Sequence, residues 1–177
     1  MRQAAHHKLF CWLMHFAQVN GETAMHLASC NLFEGISELQ LARLIGIAVE
    51  VRMAKDQWLF QEGQEANHFF VLENGAVELI TLVNDKFELP VALLKTPGSG
   101  FGMAALIRTA DYNVSARCAE NGVVFRIERA RLEKLIGEDH ELGCRLMANL
   151  ARHLFVRLRD ARRELKAHFK SLFLLTH

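Results

Sequence analysis

The sequence predicts a mainly-β roll with helices on both sides, and three observations carry that expectation. Between Val49 and Ile127 apolar residues fall in short runs punctuated by glycine turns, whereas the segments before and after repeat at helical spacing. Only two prolines occur, at 90 and 97, and no repeat or low-complexity tract interrupts the chain. With 51% hydrophobic and 23% charged residues over 177 positions, the composition suits one domain with extensions and a substantial core.

The helical lead-in covers residues 1–28, with a turn at Asn20-Gly21 and a short helix over Glu22 to Leu27. Ser37 stands three residues before Gln40, a capping-box spacing, and Leu39, Leu41, Leu44 and Ile45 then form one apolar face to about Ala48. Val49 to Met53 alternates with period two, as a half-buried strand does. Further strands are expected at Trp58–Phe60, His68–Leu72, Ala76–Val83 and Phe87–Leu94, and then at Ser115–Ala119 and Val123–Ile127. Asn74-Gly75 and Asn121-Gly122 are read as hairpin turns, with both glycines in left-handed conformation. A short helix over Arg131–Ile136 is expected to end at Gly137, and a long one to run from about His140 to Phe169. In the long helix Met147, Leu150, Leu154, Leu158, Ala161, Leu165 and His168 recur at three- and four-residue steps, close to a heptad seam. The resulting division is a helical extension over 1–31, a roll over 32–138 and the long helix over 139–177.

Composition narrows the function classes. A net charge of +1 gives no global attraction to nucleic acid or membrane. Four scattered cysteines make neither a disulfide framework nor a zinc pattern, so free thiols and a cytoplasmic location are expected. No stretch reaches the ~20 apolar residues of a membrane helix. No Walker loop, zincin motif or serine–histidine–acid spacing is present, which favours a binding protein over an enzyme.

Several motifs in combination resemble the cyclic nucleotide-binding domain of the bacterial catabolite-activator type and of kinase and channel regulators. They are Leu32-Phe33-x-Gly-Ile-Ser, Leu59-Phe60-x-Glu-Gly, Phe69-Phe70-Val71-Leu72-x-x-Gly75-x-Val77, Pro97-Gly98-x-Gly100-Phe101-Gly102 and Ile127-x-Arg129. The resemblance runs from Leu32 to Arg163 and implies a double-stranded β-helix, or jelly roll. It also implies a ligand site at Phe101, Gly102, Met103, Ala104 and Ala105, with Arg108, Tyr112, Asn113, Val114 and Ser115 on the following segment. In the family pattern an acid follows the glycine and holds the ribose hydroxyl, and a later arginine pairs with the cyclic phosphate. Here those positions fall on Met103 and Tyr112. Backbone amides of Gly102 to Ala105 remain as anion donors, and Arg108 or Arg117 are alternative phosphate partners. The resemblance further implies that the last helix closes over the ligand and joins two copies into a homodimer. A small molecule, with cAMP or cGMP as the family's ligands, is the expected partner and no other cofactor is assigned. The relatives that bind DNA carry a helix-turn-helix after this helix; only Lys170 to His177 follow it here, so sequence-specific DNA binding is not expected.

Two further patterns stand out. His7, Cys11 and His15 share one helix face and are candidate metal or haem ligands. Arg152, Arg157, Arg159, Arg162, Arg163, Lys166 and Lys170 crowd the last helix, read as the solvated outer face of a dimer helix.

Overall fold

The computed structural model describes residues 23–83, 87–107 and 111–175. The expected lead-in helix with His7, Cys11, His15 and Asn20-Gly21 lies outside the described residues, as does Arg108. In chain order the elements are α1 (Thr23–Ala28), a 3-10 turn (Asn31–Phe33), α2 (Glu38–Ile47), β1 (Ala48–Met53), β2 (Trp58–Phe60), β3 (His68–Val83), β4 (Phe87–Leu94), β5 (Gly100–Phe101), a second 3-10 turn (Met103–Leu106), β6 (Ser115–Glu128), α3 (Arg129–Glu138) and α4 (His140–Leu175). All strand pairings are antiparallel, in the order β1-β6-β3-β4, with β2 on β6 and β5 on β3.

The capping box forms as the spacing implies. Ser37 Oγ accepts the Gln40 backbone N–H and Gln40 Oε1 accepts that of Ser37, which satisfies two of the donors a helix start leaves open. Gln40 also donates to both Asp139 carboxylate oxygens, at 3.2 Å, tying α2 to the corner between α3 and α4. Asp139 accepts the Leu142 N–H at 3.0 Å and so caps the long helix. That hydrogen bond, followed by those from Gln40 and the charge of Arg43, holds its carboxyl below the usual range.

Two expectations about turns are corrected. Neither Asn-Gly pair is a hairpin: β3 and β6 are continuous strands of 16 and 14 residues that run past them. The two pairs face one another across the ladder, where the register slips repeatedly between Leu72 and Val77. Gly75 has φ 86°, while Gly122 is not among the left-handed glycines. A Cβ on Gly122 would stand 2.2 Å from the Asn74 carbonyl oxygen, and one on Gly75 would stand 2.6 Å from that of Asn121. These glycines therefore allow two backbones to cross closely at a bend in the sheet. The helix limits also differ. Gly137 lies inside α3, where its missing side chain faces open space, and α4 continues to Leu175.

Phe69 to Glu73 are all buried, without alternation. Both faces of this stretch are covered, by the roll's interior and by α1 with the 3-10 turns. Leu142, Leu146 and Leu150 of α4 join this core. The buried Asn149 donates from Nδ2 to the carbonyls of Leu32 (3.0 Å) and Glu34 (2.8 Å), fixing α4 on the first 3-10 turn. Beyond Ala151 the helix leaves the body: Leu154, Phe155, Leu158, Leu165 and Phe169 are exposed. Leu150 faces the core and is not part of the seam. The exposed row is Met147, Ala151, Leu154, Leu158, Ala161, Leu165 and His168, in alternating steps of four and three.

Candidate functional site

The candidate segment is described over Phe101 to Ile107 and Asp111 to Ser115. Phe101 pairs with Phe70 across β5 and β3, and their rings stack at 5.2 Å. Gly102 then turns left-handed at φ 74°, and a Cβ there would press on the His68 carbonyl at 3.0 Å. This turn opens the 3-10 stretch Met103–Leu106. The Ala105 N–H donates to the Gly102 carbonyl at 3.1 Å, so one of the four expected anion donors is spent inside the turn itself. Ala105 is buried, and Met103, Ala104 and Leu106 pack against the core.

Tyr112 takes a structural role. Its ring is buried and stacks on Phe60 at 3.8 Å. Its hydroxyl donates to the His68 carbonyl (2.7 Å) and accepts the His68 N–H (3.1 Å). Its backbone is tied to the turn at Gly63, the Gly63 N–H donating to Tyr112 O and the Tyr112 N–H to Gln64 O. Burial raises its phenol above the ordinary range. A phenol satisfied on both sides and stacked on a ring has no capacity left for a ligand. At the adjoining positions Asn113 is exposed, Val114 is half-buried on the core, and the Ser115 hydroxyl accepts the Glu62 N–H at 2.9 Å.

Arg117, expected as an alternative phosphate partner, is committed elsewhere. It reaches Glu78 at 3.0 Å and Glu88 at 2.9 Å, and its guanidinium lies 5.1 Å over the Trp58 ring. The hydrogen bond to Glu78 leads the interactions that hold it charged. Among the described residues no cluster of three or more His, Cys, Asp or Glu could hold a metal ion, and the described cysteines 30, 118 and 144 are free thiols. No described helix is long and apolar enough to cross a membrane.

An antiparallel roll, a glycine-led 3-10 turn after β5 and a long helix docked on the first 3-10 turn are the architecture of a regulatory sensor class of domain. The cyclic nucleotide-binding domain signature matches residues 50–139, and the chain belongs to that family. It is 25% identical over 111 residues to the anaerobic regulatory protein of Bacillus subtilis, covering 63% of this chain and 47% of that protein. To potassium channel KAT1 of Oryza sativa subsp. japonica it is 28% identical over 127 residues, covering 71% of this chain and 17% of the channel. The chain thus spans half or less of the curated relatives it matches. Among solved structures it is similar to the catabolite activator protein of Thermus thermophilus, with a TM-score of 0.66 and 25% identity over 77% of this chain and 62% of that one.

The role of the two Asn-Gly pairs was not recoverable from local sequence, because the same dipeptide serves a hairpin and a strand crossing. The commitment of Arg117 depends on strand order, which local sequence does not give: Glu78 stands opposite it on β3, and Glu88 lies on β4, one strand further on.

Proposed function

We propose that this chain is a non-enzymatic, cytoplasmic regulatory module that signals through α4, and that it does not recognise cAMP or cGMP in the family's ordinary way. The observation that carries this reading is Tyr112. At the position where the resemblance expects a phosphate-pairing arginine stands a buried phenol, stacked on Phe60 and hydrogen-bonded on both sides by His68. Met103 at the acid position presents a thioether where a ribose hydroxyl needs an acceptor. Each lost charge-assisted contact weakens binding by about 1.5–3 kcal/mol. Calorimetric titration with cAMP and cGMP is expected to show no saturable binding below about 100 µM.

The exposed row on α4 supports a homodimer as the readout. Leu154, Leu158 and Leu165 are about half exposed on a helix that has left the body, and the spacing fits knobs-into-holes packing with a second copy. Sedimentation velocity at micromolar concentration is predicted to give a dimer for the native chain and a monomer for the L154E/L158E double variant. A native monomer would remove α4 pairing from the account.

A further inference from the structure

Beside the 3-10 turn, on the side that faces α4, lies a cavity of about 210 Å³. At about 30 Å³ per water, it is large enough for a small organic molecule. Leu32, Leu94 and Met103 give it apolar walls, the Gly98–Gly100 loop gives it a polar rim, and His153 and Arg157 of α4 line its remaining side. Cys30 adds to the apolar lining: burial pushes its thiol up to about 11, so it stays neutral. The Ser99 hydroxyl on the rim has no hydrogen-bond partner among the described residues, while the Ser99 backbone is anchored to Leu72 and Thr96.

The charges around this cavity are lopsided. Arg152, Arg159 and Arg163 each reach a carboxylate, but Arg157 makes no ion pair among the described residues. Burial, and next the charge of Arg157, depress the His153 imidazole. At neutral pH it therefore offers a neutral ring, and the net charge at the mouth is the positive charge of Arg157. Among the described residues no carboxylate lines the cavity.

We infer that this cavity binds a small organic anion with an apolar body, whose anionic group is paired by Arg157 and hydrogen-bonded by Ser99, and whose body rests on Leu32, Leu94 and Met103. The cation of this site comes from the long helix, not from the turn beside it. A ligand held there joins the Gly98–Gly100 loop to α4 one helical turn beyond Asn149, at the point where the helix departs from the body. Occupancy then favours the docked position of that turn. The regulatory consequence rests on the reading of α4 as the signalling element; the binding itself does not.

The test is titration of the full chain with benzoate, phenyl phosphate and the uncharged isostere benzamide, followed by amide NMR. Benzoate or phenyl phosphate is expected to saturate below about 10 mM, shifting amides of Gly98 to Gly100 and of residues near His153, and the tighter of the two names the anionic group. R157Q, a change at an exposed position, should weaken that binding ten-fold or more with an unchanged unfolding midpoint. M103W should block it by filling the cavity. Absence of saturation by both anions overturns the inference. So does benzamide binding as tightly as benzoate, or R157Q binding like the native chain. Sedimentation of the same samples separates the two claims. Anion binding to a monomer would leave the site and remove the helix readout, and a dimer that binds no anion would do the reverse.

Discussion

Replacing Tyr112 with alanine is expected to destabilise the domain by about 3–5 kcal/mol, the range for losing a large buried aromatic side chain. The ring stacks on Phe60 within a chain of aromatic contacts that continues through Phe70 to Phe101. Removing it opens a void beneath the turn that carries the candidate site. Tyr112→Phe isolates the hydroxyl. It leaves the His68 N–H and carbonyl without their partner and should cost about 1–3 kcal/mol. Urea unfolding of both variants checks the ladder, and a Tyr112→Ala protein within 1 kcal/mol of native, far below that range, would show that the ring is not a core element. Tyr112→Arg, which puts the family's residue back, is expected to fail as a gain of function. The guanidinium would have to enter the buried site stacked on Phe60, where its charge is desolvated.

The second large effect lies at the strand crossing. Gly122→Ala places a methyl 2.2 Å from the Asn74 carbonyl oxygen and 2.9 Å from the Gly75 Cα. These are backbone atoms held in the ladder, so no side chain can rotate away and the strands must part. A loss of about 3 kcal/mol follows, at the upper end for overpacking. Gly137→Ala, where the added methyl meets open space in α3, should be neutral or slightly stabilising and serves as the control. Thermal unfolding of the pair distinguishes a close crossing from an ordinary turn, because a true hairpin glycine at 122 without left-handed φ would tolerate alanine.

Much of the architecture was legible in the residues. The Ser37–Gln40 cap, strand β1 and the long last helix each have a local cause, and each formed, but the alternation of β1 is incomplete: Val49 is exposed where Met53 is buried. The two Asn-Gly pairs were misread because their purpose is non-local. Each glycine is needed for what the other strand brings against it, and one chain segment does not reveal that. Leu150 was assigned to the seam for the same reason: its spacing is helical either way, and only the packing of Leu142, Leu146 and Leu150 on the roll sets it inside. At the candidate site the sequence located the turn and named its missing acid and arginine. It did not reveal that Tyr112 would be fully occupied by His68 and Phe60, that Arg117 would be held by Glu78 and Glu88, or that Arg157 would face a cavity beside Met103.

The central claim is that this roll keeps the architecture of its family while the side-chain half of its nucleotide site has become packing. Titration of the labelled chain with cAMP, followed at the amides of Gly102 to Ala105, addresses it most directly. The account predicts no saturable shift at those amides below about 100 µM. Saturation in the low micromolar range, with the largest shifts at Gly102 and Met103, would contradict it.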